Sequence, residues 1–326
     1  MQTQTLQLKF DPLLYDFEMP LRAVHYPLGF PLEIATNSEE ILAAAKESWG
    51  YFNKVFAYPP LTLRIGVLDG GPAECPPGPV FRQQRNLRAL VADAENFSVS
   101  DLKNGFAFAW LTRATVENRP YLRWHFLEAM SWNLLAPYLT PVHAACVRLQ
   151  DRGVLLCGDS SAGKSSLAYV CAKNGWLYMA DDSSSLVRGR AEPLVVGNPY
   201  QIRFRESAVD LFPELKQWPL TPRATGEMAI EVRTARMPEV RTMTECFIHY
   251  IVFLRRGHAG PPRLLPFPKQ EALRWFEQVI CCGESEVVEA QKASLRNLLT
   301  AEIFELRYGG LAPAVSRLEE MVYSGN

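Results

Sequence analysis

The 326-residue sequence lacks any run of about 18 consecutive uncharged apolar residues, which excludes a membrane-spanning helix. It also lacks an excess of charge of either sign, since 34 basic residues stand against 35 acidic ones and the net charge is −1. No run of five basic residues occurs. The composition therefore does not favour binding to nucleic acid or to an anionic membrane surface, and we expect partners of neither kind.

Cysteine follows no recognisable pattern. The seven cysteines are odd in number and form no paired C-x-x-C motifs, so neither a zinc site nor a disulfide framework is predicted. The first residues, MQTQTLQLKFDPLLYDFE, lack the basic start and apolar run of a secretory signal. We therefore expect a cytoplasmic protein with reduced thiols. The sequence leaves its oligomeric state open, with a homo-oligomer among the options.

The size and composition predict about two domains of roughly 150 residues each, since 48% of residues are hydrophobic and 21% are charged. A break at Pro137–Pro141 sets their expected limits at residues 1–138 and 139–326. The first is predicted to be a smaller α+β domain with a substrate-binding or regulatory role. Its expected elements are a helix over Ser38–Phe52 capped by Ser38, strands over Leu61–Leu68 and Phe106–Thr112, and a helix over Pro120–Leu135 with Trp124, Phe126 and Trp132 in the core.

The second half alternates short apolar runs with turn residues. Because strands lie on both sides of a single early helix, we expect an α/β fold with α+β character, built on a mixed and largely antiparallel sheet. Proline-interrupted strands follow the first elements, and helical patterns return near the end. The predicted elements are a hairpin of His143–Leu149 and Gly153–Cys157, a helix over Gly163–Asn174 ended by Gly175, strands over Trp176–Ala180, Glu227–Val232 and Phe247–Leu254, and helices over Gln270–Ile280, Glu286–Leu299 and Pro313–Val322.

The most specific motif is GDSSAGKS at residues 158–165, which fits G-x-x-x-x-G-K-[ST] without exception. Its glycines permit the backbone angles that turn successive N–H groups toward a phosphate, and the following helix adds its positive end. We expect Lys164 to reach the β- and γ-phosphates and Ser165 to offer its hydroxyl to Mg²⁺. A chance Gly/Ser-rich turn is the alternative. The candidate nucleotide-binding residues here are Gly158, Asp159, Ser160, Ser161, Ala162, Gly163, Lys164, Ser165 and Ser166.

A second motif is the acidic pair Asp181-Asp182, which ends an apolar run 17 positions after Lys164. Adjacent residues of an extended chain point to opposite faces, so the two carboxylates need not do the same job. One can bind Mg²⁺ while the other accepts a proton from a hydroxyl. The alternative is a solvated turn, because Asp-Asp-Ser-Ser-Ser is also good turn composition.

These residues together resemble the C-terminal domain of HPr kinase/phosphorylase, a family related in fold to the ATP-dependent phosphoenolpyruvate carboxykinases. The shared features are a His-led run (PVHAACV), the loop GDSSAGKSS and a strand that ends in Ala180-Asp181-Asp182. The resemblance implies ATP and Mg²⁺ as ligands. It also implies that Asp181 is the catalytic base, with metal contact, that Asp182 is a metal ligand, and that His143 is the electrostatic partner of the base. From the residues alone, His143 could equally be a core histidine.

A weaker match at Tyr200-Gln201-Ile202-Arg203 is similar to the Glu-Ile-Arg segment of that family, with Arg203 in the arginine position. The resemblance therefore adds Arg203 to the candidate nucleotide-binding residues. Gln201 and Ser166 stand where the family has glutamates, which argues against the bifunctional activity and against HPr as substrate. The resemblance covers roughly residues 141–215. The earlier residues look more like the leader of bacterial HPr kinase-related proteins. Arg203 and Arg205 are two apart, so they share a face and form either an anion clamp or surface ion pairs.

The expected function is an ATP-dependent phosphotransferase that moves the γ-phosphate to a hydroxyl, with Asp181, His143 and Lys164 as catalytic residues. The expected acceptor is a serine of a protein or peptide, or a small molecule. The alternative is a nucleotide-binding regulatory or scaffold protein that has lost transfer chemistry. Carboxykinase chemistry on an oxoacid is a third reading, for which the sequence offers no second-metal His/Lys set.

Overall fold

The computed structural model describes residues 17–69, 73–222, 227–280 and 285–325. The chain divides into two units, Met1–Pro137 and Tyr138–Asn326, one residue before the division suggested by the sequence. Both units combine sheets with helices, so the fold is mixed α/β, and the fold class predicted from the sequence is confirmed. Within the described ranges, no helix is both long and apolar enough to cross a membrane.

The described part of the first unit contains one seven-stranded sheet and a group of helices. Its elements are β1 (Leu21–His25), β2 (Leu32–Thr36), α1 (Glu39–Trp49), β3 (Leu61–Leu68), β4 (Val80–Gln84), β5 (Leu87–Val91), β6 (Phe97–Asp101), β7 (Phe106–Thr112), α2 (Arg113–Glu117), α3 (Arg119–Leu122), a π-helical segment (Arg123–Glu128) and α4 (Ala129–Leu135). The strand order is β1-β2-β3-β7-β6-β5-β4. Strands β2, β3 and β7 run parallel, and the remaining neighbours are antiparallel.

Strands β3 and β7 have the bounds that their apolar runs predict. Other expectations for this unit need correction. Ser38 does not cap α1 with its side chain, because its hydroxyl donates to Glu40 at 2.5 Å instead of accepting from a helix amide. Trp124 and Trp132 are 42% and 40% exposed, whereas Phe126 is fully buried, so the prediction that all three are core residues was wrong for both tryptophans. The π-helical segment interrupts the helix predicted over Pro120–Leu135.

The second unit begins with a strand where the sequence indicates only a break. Its described elements are β8 (Leu139–Val142), β9 (Ala144–Leu149), β10 (Arg152–Cys157), α5 (Lys164–Lys173), β11 (Leu177–Ala180), β12 (Ser184–Val187), β13 (Leu194–Gly197), β14 (Gln201–Phe204), β15 (Leu220–Pro222), β16 (Met228–Arg233), β17 (Arg241–Thr242), β18 (Glu245–Arg256), β19 (Arg263–Pro266), α6 (Lys269–Glu277), α7 (Ser285–Leu298), β20 (Glu302–Tyr308) and α8 (Leu311–Ser324). Residues 136–138 form a turn, but the predicted break extends too far, because residues 139–142 form β8. This strand ends the strand order, and an edge strand tolerates Pro141 without its N–H.

Among the described residues, ten strands of this unit form a mixed sheet along the path β17-β11-β9-β10-β18-β13-β12-β8, with β20 beside β18 and β19 beside β20. Most neighbouring pairs are antiparallel, as expected from the sequence, but β10-β18, β18-β20 and β11-β17 are parallel. A separate sheet of three strands has the order β14-β16-β15. Helix α5 ends as predicted, because Gly175 takes a left-handed φ of 90° that other residues adopt at a cost.

The large sheet is buried between helices on its two faces. Because side chains alternate along a strand, Val154 and Leu156 of β10 face one way and Leu155 and Cys157 face the other. The first face packs against α5 and α8, and the second packs against α6 and α7. The core therefore holds β10 rigidly on both sides, which also fixes the loop that leaves its end.

Candidate functional site

Strand direction brings the two sequence motifs to one edge of the large sheet. Strands β10 and β11 are both antiparallel to β9, so they run the same way and end at the same edge. The loop of residues 158–165 follows β10, and Asp181-Asp182 follows β11. His143 lies at this edge as well, because Ala144, the next residue, pairs with Cys157 at the end of β10. The topology alone therefore gathers residues that are 15 to 39 positions apart.

The loop of residues 158–165 bends through three residues in the left-handed region. Gly158, Ser161 and Gly163 have φ values of 147°, 74° and 98°. A Cβ at Gly163 would lie 2.5 Å from the Tyr308 hydroxyl, and one at Gly158 would lie 2.8 Å from the Cβ of Ala162. Alternation of left-handed with ordinary residues is the pattern of a backbone nest, and helix α5 begins directly after it. The loop therefore requires both glycines and has the form of an anion cradle.

Lys164 is buried and reaches back across the loop. Its ammonium donates to the carbonyl of Gly158 at 2.8 Å and to the Nε2 of His143 at 3.0 Å. A carboxylate oxygen of Asp182 lies 3.4 Å from the same ammonium. A buried ammonium needs such partners, because desolvation without hydrogen bonds is expensive. These contacts hold the ammonium of Lys164 over the loop, beside the carboxylate of Asp182.

Asp181 is half-buried and tied to the neighbouring sheet. Its Oδ2 accepts from the backbone N–H of Arg203 at 2.7 Å. Burial raises the pKa of Asp181 to about 6, although that hydrogen bond and the Arg203 charge act in the opposite direction. A carboxylate with a pKa near neutrality is better suited to accept a proton than an ordinary aspartate.

Asp182 faces a different set of groups from Asp181, as expected for adjacent residues of an extended chain. Its carboxylate is about half exposed and lies 3.4 Å from the Nε2 of His143 as well as from Lys164. The resemblance makes His143 the partner of Asp181, whereas the structure places it against Asp182 and Lys164. Burial lowers the pKa of His143, with Asp182 acting against this change. A neutral imidazole can accept the hydrogen bond from Lys164.

The donor set at the loop fits Mg²⁺ by its chemistry. Within the described residues, no three His, Cys, Asp or Glu side chains converge in a cage that could hold a metal ion. Mg²⁺ is commonly held by one or two carboxylates together with substrate phosphates and water, so a full cage is not required. Ser165 and Asp182 line the same cavity and would supply a hydroxyl and a carboxylate. Asp181 and the loop residue Asp159 also line this cavity with carboxylates.

The two arginines of β14 and its exit have different partners. Arg203 forms an ion pair with Glu231 of β16 at 2.9 Å. When the Gln201 amide is oriented with its oxygen toward the guanidinium, this oxygen also accepts hydrogen bonds from Arg203 at 2.9 and 3.0 Å. Arg205 instead donates to the hydroxyls of Ser160 and Ser161, each at 2.6 Å. Of the two alternatives that the sequence left open, the structure shows an ion pair for Arg203, whereas Arg205 contacts the loop.

The motifs and the three-stranded sheet enclose one cavity of about 500 Å³. Its lining includes the exposed apolar side chains of Leu211 and Met228. The sequence reasoning missed these two residues and Arg256, which ends β18 beside the loop because β18 runs parallel to β10. The sequence pattern that could have revealed Arg256 is a basic residue at the end of a long apolar strand. The predicted residues that line the cavity are His143, Asp159, Ser160, Ser161, Gly163, Lys164, Ser165, Ser166, Asp181, Asp182 and Arg203.

Comparison with known proteins adds little to this picture. No family model matches the chain, and no curated protein matches its sequence. Among solved structures, it is similar to the Hpr(Ser) kinase/phosphatase from Coxiella burnetii, with a TM-score of 0.32 and 11% identity. That alignment covers 57% of this chain and 93% of the other.

Proposed function

We propose that the second unit is an ATP-dependent phosphotransferase that moves the γ-phosphate of ATP to a hydroxyl. The observation that supports this most is that one cavity contains both an anion cradle with a buried lysine and an aspartate of raised pKa. The cradle and Lys164 suit the phosphates of a nucleotide, and Asp181 suits the proton of an attacking hydroxyl. The sequence motifs and the family that they resemble point to the same chemistry.

In this proposal each residue has one task during transfer. Asp181 takes the hydroxyl proton as the acceptor oxygen bonds to the γ-phosphorus, and the bond from that phosphorus to the β-phosphate oxygen breaks to leave ADP. The Lys164 ammonium stabilises the negative charge that builds up on the phosphate oxygens. Ser165 and Asp182 would hold Mg²⁺, which when bound neutralises phosphate charge. The hydrogen bond from the Arg203 amide fixes the carboxylate of Asp181 in place.

The acceptor is proposed as a serine hydroxyl, in a protein or peptide or in a small molecule. Exposed Leu211 and Met228 in the lining of the cavity provide an apolar surface against which the carbon atoms of an acceptor could pack. An acceptor that packs against these side chains would leave the polar groups of the loop free to contact the phosphates. We also propose that the first unit contributes to the choice of acceptor.

A second candidate function is a nucleotide-binding scaffold without transfer activity. It is favoured by Gln201 and Ser166, neutral residues at positions where the resembled family has glutamates. Gln201 stands next to the Arg203–Glu231 pair, so the metal side of the site holds fewer carboxylates than the family pattern implies. Such a protein would bind Mg·ATP and hold it.

Incubation of the protein with γ-labelled ATP, Mg²⁺ and a lysate of the source cells tests the transferase proposal. Transfer is supported if a protein, peptide or small molecule becomes labelled when the wild type is added and stays unlabelled when the Asp181→Asn variant is added. Nucleotide binding without label on any acceptor would instead support the scaffold. The variant is a matched control because asparagine can still accept the hydrogen bond from Arg203.

A further inference from the structure

Arg205 is held on the phosphate loop by an arrangement that the motifs did not predict. Its two terminal nitrogens donate separately to the hydroxyls of Ser160 and Ser161, at 2.6 Å each. A guanidinium has five N–H groups in a rigid plane, so this fork uses two of them and leaves three. The side chain is exposed toward the cavity, and its position is fixed by both hydroxyls. Little further ordering is needed before it can contact a ligand.

Among the described residues, the direct partners of Arg205 are neutral, although the carboxylates of Asp159 and Asp210 line the same cavity. Within the described residues no carboxylate forms an ion pair with it, and its two hydrogen-bond partners are neutral hydroxyls. Arg203 differs in this respect, because Glu231 already faces its guanidinium. A cation that is fixed at an anion cradle with no carboxylate in direct contact is arranged to meet an anion from outside.

The path of the chain places this cation between the base and the loop. The backbone N–H of Arg203 is bonded to Asp181, and Arg205 follows two residues later. Since an extended chain advances about 3.3 Å per residue, the Arg205 backbone lies roughly 7 Å from that anchor. An acceptor hydroxyl that gives its proton to Asp181 must attack a phosphorus that lies between Asp181 and the loop. The phosphate nearest to the base is the one that is transferred.

We propose that Arg205, and not Arg203, supplies the guanidinium that contacts the γ-phosphate, while Arg203 positions Asp181 through its backbone amide. This inference rests on the proposed function and assigns a role within the same site. It moves the arginine role away from the residue that the family resemblance selects. Ser160 and Ser161 then serve Arg205 with their side chains, in addition to any contact that their backbone makes with phosphate.

Calorimetric titration with Mg·ATP and with Mg·ADP tests this assignment, because only ATP has the γ-phosphate. For Arg205→Ala we expect a loss of about 10- to 100-fold in ATP affinity with ADP affinity changed less than about threefold. Arg205→Lys should fall between, since it keeps the charge but cannot reach both hydroxyls as a fork. Arg203→Ala is the matched control and should leave the ratio of ATP to ADP affinity near that of the wild type.

Other outcomes would overturn the assignment in distinguishable ways. If the wild type binds neither nucleotide, the proposed function fails and this inference fails with it. If the wild type binds ATP, but Arg205→Ala lowers both affinities equally or neither, the inference alone fails. The Ser160→Ala/Ser161→Ala double variant keeps the guanidinium and removes its anchors, so it must also lose ATP selectivity. This second variant provides the test if Arg205→Ala does not fold.

Discussion

The backbone N–H of Arg203 donates to the Oδ2 of Asp181 at 2.7 Å, across the gap between the three-stranded sheet and the large sheet. This bond favours the ionised carboxylate, whereas burial disfavours it and is the larger effect, so the pKa of Asp181 rises to about 6. The site therefore holds a carboxylate that is positioned by hydrogen bonding and made more basic by burial. Both properties follow from where β11 ends beside β14.

Removal of the proposed base should affect transfer much more than binding. We expect Asp181→Asn to lower the transfer rate by about 10²- to 10⁴-fold, because the asparagine cannot accept the hydroxyl proton. The affinity for Mg·ATP should change far less. Initial rates with γ-labelled ATP, beside calorimetry on the same preparation, make the comparison. Equal rates for the variant and the wild type would remove Asp181 from the mechanism.

The transfer rate of the wild type should fall as the pH is lowered through about 6. Below that pH the raised pKa of Asp181 leaves the carboxyl protonated, and a protonated carboxyl cannot act as a base. Above it the rate should reach a plateau. Rates measured from pH 5 to 8 at saturating Mg·ATP give the profile, with circular dichroism at each pH to show that the protein stays folded. A rate that is constant over this range would contradict the assignment.

The same pKa predicts a pH-dependent gain in stability for Asp181→Asn. The folded pKa of about 6 lies above the unfolded value of about 3.9, so the wild type loses stability as the pH rises between them. Asparagine does not titrate and escapes this loss. At pH 8 the variant should be more stable by on the order of 1–3 kcal/mol, and at pH 4 the gain should be absent. Urea unfolding at both pH values measures the difference, and an equal difference at both would contradict it.

Gly163→Ala should cost more than backbone strain alone. A Cβ at this position would meet the Tyr308 hydroxyl at 2.5 Å, and that hydroxyl donates to the Ala162 carbonyl of the loop. Gly175→Ala is the matched control, because Gly175 has a similar φ of 90° but nothing within 4 Å of a Cβ. We expect the control to lose about 1 kcal/mol of unfolding free energy and to bind nucleotide normally.

The Gly163→Ala variant should lose more stability than this control and should also lose nucleotide binding, because Tyr308 and the loop must move apart. Thermal unfolding and calorimetry on the two variants decide the matter. If both variants lose the same stability and still bind nucleotide, the tyrosine contact does not support the loop.

The parts of the fold and of the site that the sequence predicted are those in which neighbours along the chain are also neighbours in space. The loop from Gly158 to Ser165 sits between a strand and a helix, and strands β3 and β7 follow from their own apolar runs. The contact of Arg205 with Ser160 and Ser161 joins residues 45 and 44 positions apart, and no local pattern reports it.

The errors share this physical origin. Pro141 indicates a break, but β8 is an edge strand where the missing N–H costs nothing. Trp124 and Trp132 have the composition of core residues, but the face of the helix that each one occupies depends on a π-helical segment that the sequence does not reveal. The pairing of Arg203 with Glu231, 28 residues away on β16, was likewise not predicted, because no local pattern reports it.

The measurement that tests the central claim most directly is calorimetric titration of the folded wild-type protein with Mg·ATP at neutral pH. The account predicts saturable binding at one site, and it predicts that Lys164→Met abolishes that binding without unfolding the protein, since methionine fills the same space without the charge. Absence of binding to the folded wild type, or equal binding by the variant, would contradict the claim that this loop is a nucleotide site.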